Sequence, residues 1–323
     1  MNSPQAAIPL TIVSGFLGAG KTTLLNHVLS CQSGRRVAVI VNDFGSINID
    51  KELIVAQDGE TISLANGCMC CTIGDSLMAT LLDLLQRPDQ PEHLIIEASG
   101  VSDPWNIAQI GMSSDAFKLD SIITLADAEL VREQSTDKYV GDTVLRQLCA
   151  ADVIVLNKMD LAGTDGRAQL HAWLATTAPD ANVVDSINGI VDPAILLGIG
   201  GAHMLSADIV PADLHPTHRH ASLYRSWSLC TDEPFHLKEL EAVIASLPRA
   251  IIRAKGILYT VENPSRKTVF QLVGKRWSLS DGPSWGSAAP ASQLVFISQQ
   301  RCQEEVVVDQ FLSALALRAG AAD

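Results

Sequence analysis

The sequence contains no run of about eighteen uninterrupted apolar residues, so no segment is fit to cross a bilayer as a helix. Basic charge is also scarce: 23 Lys and Arg stand against 36 Asp and Glu, a formal net charge of −13. Such a surface repels a nucleic-acid backbone almost everywhere, which excludes nucleic acid as a partner, while cations remain compatible. No basic segment precedes the first apolar stretch, which runs straight into glycines and Lys21 in MNSPQAAIPLTIVSGFLGAGK. A secretory signal is therefore not expected. A disulfide framework is missing too. The cysteines number 7, and Cys68, Cys70 and Cys71 crowd into the stretch ANGCMCCTIGD. Ordinary bridges do not fit there, and a Cys70–Cys71 bridge would close a strained vicinal ring. The expectation is a cytoplasmic protein with reduced thiols. Internal repeats and low-complexity tracts are absent as well.

What is present is enough apolar residue, 47% of 323 positions with 18% charged, for a folded chain of one large domain or two. Short branched apolar runs at 9–14, 36–43, 93–99, 121–127, 152–158 and 182–187 read as strands buried on both faces. Helical spacing lies between them, at KTTLLNHVLS, SLMATLLDLLQR, TVLRQLCAA and GRAQLHAWLATTA. This alternation predicts an α/β fold with a doubly wound domain over 1–205, and GFLGAGKT within it makes that a P-loop NTPase domain. The Gly-, Pro- and His-rich stretch at 206–221 reads as a linker. Strand and helix patterns over 222–323 predict a smaller C-terminal α+β domain, with Trp227 and Trp277 in its core.

GFLGAGKT matches G-x-x-x-x-G-K-[ST] between a strand and a helix, the setting in which that pattern is a phosphate cradle. Gly15, Gly18, Ala19 and Gly20 bring backbone N–H groups to the phosphates. Lys21 reaches the β- and γ-phosphates, Thr22 ligates Mg²⁺, and Thr23 reaches the α-phosphate. In LIIEASG, Glu97 ends a strand and can hold a magnesium-bound water, and the Gly100 N–H can sense the γ-phosphate. Asn157, Lys158 and Asp160 in VLNKMD suit guanine. The Asp160 carboxylate accepts from N1–H and N2–H₂, Asn157 reaches the O6/N7 edge, and the Lys158 stem packs along the base. GTP is preferred over ATP. Since neither a water-orienting glutamine after Gly100 nor an arginine finger is identifiable, intrinsic hydrolysis is expected to be slow, raised by a partner, a dimer or metal loading.

The thiols of Cys68, Cys70 and Cys71 suit a soft or borderline ion such as Zn²⁺, Cu⁺ or Co²⁺. A buried apolar cluster, a redox site and a fixed structural zinc site are the competing readings. Asp43, at the end of the second strand, is a candidate fourth ligand or magnesium-shell residue, or simply a strand-end acid. His215, His218 and His220 are either solvated linker residues or a relay. Cys31, Cys149, Cys230 and Cys302 read as isolated structural thiols.

Taken in order, GFLGAGKTTLLNHVL, VNDFGSINID, LANGCMCC, IIEASGVSDP, ADVIVLNKMDL and AIIRAKGILY resemble the CobW-type GTPases, metal chaperones of the SIMIBI group of P-loop proteins. The resemblance covers essentially the whole chain. It implies a GTP-dependent metallochaperone that holds a transition metal at Cys68, Cys70 and Cys71 and delivers it to a client protein as GTP is hydrolysed. It also implies Mg²⁺ with GTP and zinc as the commonest metal; a homodimer is a candidate, and no membrane is expected because no long apolar run is present. Cobalt delivery for corrinoid synthesis or nitrile hydratase activation is the alternative within the family. Outside it stand a regulatory GTPase or assembly factor with a fixed zinc, and a small-molecule kinase. Many members carry Glu where this chain has Asp43, and some carry a long histidine tract that this chain lacks.

Overall fold

The computed structural model describes residues 7–31, 36–41, 61–63, 73–197, 224–299 and 302–315. The chain divides into two compact units, Met1–Leu197 and Gly198–Asp323. The expected linker at 206–221, with its three histidines, lies outside the described residues.

In the first unit, strands β1 (Ile8–Gly15), β2 (Val37–Val41), β3 (Thr61–Ser63), β4 (His93–Glu97), β5 (Phe117–Asp127), β6 (Val153–Asn157) and β7 (Asn182–Asp185) form one sheet in the order β3-β2-β4-β1-β5-β6-β7. Every neighbouring pair is parallel. Strands β2, β4 and β6 are buried at every position, as a sheet covered on both faces requires. The helices are α1 (Lys21–Ser30), α2 (Ile73–Gln86), α3 (Pro104–Gly111), α4 (Val131–Thr136), α5 (Gly141–Ala150), α6 (Thr164–Thr177) and α7 (Pro193–Leu197). Leu77, Leu81 and Leu84 lie at helical spacing on α2 and pack with Leu10, Ile12, Ile40, Leu94 and Ile96. Val144 and Leu148 of α5 join Leu170 and Leu174 of α6 over Ile154 and Leu156. Each such buried side chain contributes about 1.5–3 kcal/mol relative to exposure.

Strand β3 and helices α3, α4 and α7 are not apparent from sequence spacing. They are short, and their partners in the sheet or core lie far along the chain. Helix α3 nevertheless has a local start signal: Asp103 accepts a hydrogen bond from the Trp105 N–H at 2.9 Å, and Pro104 follows it. Below the sheet centre, the Thr11 hydroxyl hydrogen-bonds with His93 Nε2 at 2.9 Å and with the Leu196 carbonyl at 3.4 Å, tying α7 to β1 and β4.

The second unit contains β8 (Tyr224–Thr231), α8 (Leu237–Ser246), β9 (Ile251–Leu258), β10 (Arg266–Val273), β11 (Arg276–Ser284), β12 (Ser292–Gln299) and α9 (Glu304–Ser313). Its antiparallel sheet runs β11-β10-β9-β12-β8. The stretch KTVFQLVGKRWSLS folds back on itself: Gly274, at φ 60°, lets β10 turn directly into β11. Phe235, Phe270, Phe296 and Phe311 are fully buried. Trp227 stacks on Phe296 at 4.1 Å, and both Trp227 and Trp277 pack against this core. Gly256 of β9 is required by space, since a Cβ there would stand 2.1 Å from the Gln293 carbonyl oxygen. Among the described residues no helix is long and apolar enough to cross a membrane.

Cys302 closes this core. Burial pushes its thiol pKa up, with Glu304 adding to the rise and a hydrogen bond with Ser298 opposing it. The unfolded thiol therefore ionises first. The linked stability is complete below the ordinary thiol range and drains as pH rises toward the folded value. Urea unfolding at about pH 7 and about pH 10 is expected to show a larger alkaline loss for the native chain than for Cys302→Ala. Equal losses would exclude this linkage.

Candidate nucleotide site

Parallel strands set their C-terminal ends along one edge, and the candidate residues collect there. Val13 pairs with Glu97, Gly15 with Leu125, and Asp127 with Asn157. The turn after β1 is dictated by its glycines. Gly15 has φ 135°, Gly18 φ 79° and Gly20 φ 105°. A Cβ on Gly15 would lie 2.3 Å from the Leu125 carbonyl oxygen, and one on Gly20 would lie 2.5 Å from Asn157 Nδ2. Only glycine lets the chain wrap this closely. Gly20 forms the N-cap of α1, whose first residue is Lys21. The helix thus presents its N-terminal N–H groups to the loop, the arrangement that attracts a phosphate.

Lys21 is buried, and its ammonium donates to the Gly15 carbonyl at 2.9 Å and the Phe16 carbonyl at 3.5 Å. It rests on the loop that a phosphate would occupy. Thr22 is half-buried and Thr23 exposed, both in the first turn of α1. Glu97 is buried at the end of β4, the strand directly beside β1, and Gly100 follows in the next loop. A Cβ on Gly100 would approach Leu17 Cδ2 to 2.5 Å and the Leu17 backbone nitrogen to 2.9 Å, so this loop lies directly against the glycine turn. A hydroxyl at Thr22, a carboxylate at Glu97 and a glycine cradle are a donor set that suits magnesium and polyphosphate.

The other end of the edge carries the N-K-x-D residues. Asn157, expected at a base edge, is also a strut. Its Nδ2 donates to the Ala19 carbonyl and its Oδ1 accepts from the Gly189 N–H, both at 2.9 Å. Each such buried bond nets about 1 kcal/mol, and together they fix the phosphate loop against the loop after β7. Lys158 adopts φ 61°, and its ammonium is 2.6 Å from Asp127 Oδ2. Asp160 is exposed and makes no hydrogen bond or ion pair among the described residues, which leaves its carboxylate available to a base.

Cys68, Cys70, Cys71 and Asp43 lie outside the described residues. Among those described, no group of three or more His, Cys, Asp or Glu side chains is placed to hold a metal. Cys31, Cys149 and Cys230 are exposed and Cys302 is buried.

Three contributors escape sequence reasoning. Asp127 is buried, accepts from the Glu129 N–H at 3.0 Å and anchors Lys158; its one local signal is that it ends an apolar strand. Gln147, on α5, donates to the Gly100 and Ser102 carbonyls at 3.1 and 3.0 Å; nothing in TVLRQLCAA marks it. Gly189, at φ 67°, passes so near α1 that a Cβ would stand 2.9 Å from the Leu24 nitrogen. The dipeptide Asn188-Gly189 is a turn signal that points to a loop but not to its neighbour.

Comparison with known proteins adds to this geometry. The family described as CobW/HypB/UreG, nucleotide-binding domain, matches residues 9–185. The cobalamin synthesis protein cobW C-terminal domain matches residues 224–315. The chain is 34% identical over 313 residues to the zinc chaperone YjiA of Escherichia coli, covering 93% of this chain and 96% of that protein. It is 32% identical over 353 residues to the zinc chaperone CobW of Pseudomonas aeruginosa, covering 96% and 92%. Among solved structures, Zn(II)-bound YjiA GTPase from E. coli is 28% identical over 96% of this chain and 99% of that one, with a TM-score of 0.48.

Proposed function

The chain belongs to the CobW/HypB/UreG family of P-loop GTPases, and from that premise we propose that it is a GTP-dependent metallochaperone that binds zinc through Cys68, Cys70 and Cys71 and passes it to a client protein. One observation carries the link between thiols and nucleotide. Strand β3 ends at Ser63 on the edge that holds Gly15, Glu97 and Asn157, and α2 begins at Ile73. The three thiols belong to the short connection between them, so the chain departs toward them from the nucleotide edge. In this reading the thiols lie, along the chain, between two elements of the unit that carries the phosphate loop. Thiolates suit zinc, and relatives named zinc chaperones favour it over cobalt.

In this reading Lys21 and the glycine turn hold the phosphates, Thr22 and Glu97 serve magnesium, and the Gly100 N–H senses the γ-phosphate. Asn157, Lys158 and Asp160 recognise guanine. GTP draws the thiols together; hydrolysis loosens them and frees the ion. Hydrolysis by the isolated chain is slow, because the loop after Gly100 offers Val101, Ser102 and Asp103 rather than a glutamine. Client docking, dimerisation and a role for Asp43 belong to the same proposal.

The test is metal competition with a chromophoric chelator, using the apo-protein with Mg²⁺ and either a GTP analogue or GDP. Tighter Zn²⁺ binding with the analogue is expected. Equal binding with both nucleotides would make the metal structural and end the chaperone reading. Lys21→Ala tests the nucleotide half: it removes an ammonium seated on the phosphate loop, and kcat is expected to fall about 10²–10³-fold. Retained turnover would exclude Lys21 from the reaction.

A further inference from the structure

We infer that Gln147 is a positioning residue that holds the γ-phosphate-sensing loop in its anion-accepting form. The inference rests on the reading of Gly100 given above. Gln147 lies on α5, 1% exposed, and reaches the loop that follows β4. Both of its amide hydrogens have an acceptor, the Gly100 carbonyl at 3.1 Å and the Ser102 carbonyl at 3.0 Å. Its own backbone carbonyl accepts from the Thr124 hydroxyl at 2.9 Å. One residue therefore ties a loop, a helix and strand β5 together.

The loop it grips is already a closed turn. The Ser102 N–H donates to the Ser99 carbonyl at 3.0 Å, and the two hydroxyls are 3.0 Å apart. Within that turn the carbonyl oxygens are the groups that would repel a phosphate, and the N–H groups are those that would attract it. Gln147 draws two of those oxygens toward the protein interior. The loop cannot rotate its carbonyls to the Leu17 side, where Gly100 meets the glycine turn, without leaving a buried amide unsatisfied. The consequence is specific to the third phosphate: GTP needs this loop, whereas GDP is held by the glycine turn, Lys21 and the base site.

The experiment compares the full chain with Q147E, which keeps the shape but loses both donors, and Q147M, which keeps length and packing without an amide. Affinities for Mg²⁺-GDP and for a non-hydrolysable Mg²⁺-GTP analogue are read by displacement of a fluorescent nucleotide, alongside thermal unfolding. Affinity for the analogue is expected to fall about tenfold in Q147M and further in Q147E, with GDP affinity held within about twofold. Equal weakening of both nucleotides, in step with a lower unfolding temperature, would reduce Gln147 to a structural tie and overturn the inference. Preserved preference for the analogue in both variants would overturn it as well, leaving Gly100 untouched. If the native chain itself binds both nucleotides equally, the reading of Gly100 fails first and this inference with it.

Discussion

Serine in place of Cys68, Cys70 and Cys71 together is expected to weaken Zn²⁺ binding by at least about 10⁴-fold in the presence of a GTP analogue. A thiolate is a soft, anionic ligand, whereas a serine hydroxyl stays protonated near neutral pH and is a hard, neutral one. Apparent binding energies of complete tetrahedral zinc sites are about 10–16 kcal/mol, so removing three ligands of four takes away most of the total. The same variant decides what the metal is for. If the thiols are a transfer site, the metal-free variant unfolds at the temperature of the metal-free native chain and still binds GDP. If they staple the fold, the native chain is destabilised by chelator, and the variant starts from that weakened state. Undiminished zinc affinity would move the metal site elsewhere on the protein.

Asp160→Asn is expected to lower affinity for GTP by about 10³–10⁴-fold and to raise affinity for xanthosine triphosphate. In the proposed base site the carboxylate accepts two hydrogen bonds from guanine, through N1–H and the 2-amino group. An asparagine amide in its place sets donor against donor at the 2-position. Xanthine carries a carbonyl at that position, so the same amide donates to its oxygen while its carbonyl accepts from N1–H. Asp160 is exposed and has no protein partner among the described residues, so the substitution has no reason to disturb the fold. Displacement of a fluorescent guanine nucleotide by GTP, XTP and ATP measures both effects. Unchanged GTP affinity would mean that the base is read by other residues, and tight ATP binding would bring back a kinase.

How far the sequence speaks depends on the range of the interaction involved. A glycine turn that must adopt positive φ can be seen at Gly15, Gly18 and Gly20, because the demand is met within a few residues. The buried strands were visible for a similar reason: a parallel strand under helices needs an apolar side chain at nearly every position, whatever its neighbour. The crowding of Cys68, Cys70 and Cys71 is a property of the chain alone. So is the identity of the N-K-x-D residues. These local demands determined the α/β class, the phosphate loop and the choice of metal-binding candidates.

Only the tertiary structure decided what those residues lean on. Asn157 reaches Ala19 and Gly189, Asp127 reaches Lys158, and Gln147 reaches Gly100 and Ser102. Each pair is joined by the strand order β4-β1-β5-β6 and the loops at its edge rather than by sequence spacing. A hydrogen bond between distant segments leaves no periodicity behind, since its geometry exists only once the sheet has aligned the strand ends. The sequence by itself determined which chemistry the site can perform. The fold determined which buried amide and carboxylate groups hold it in position, because their partners meet only when hydrophobic burial has brought the strands side by side.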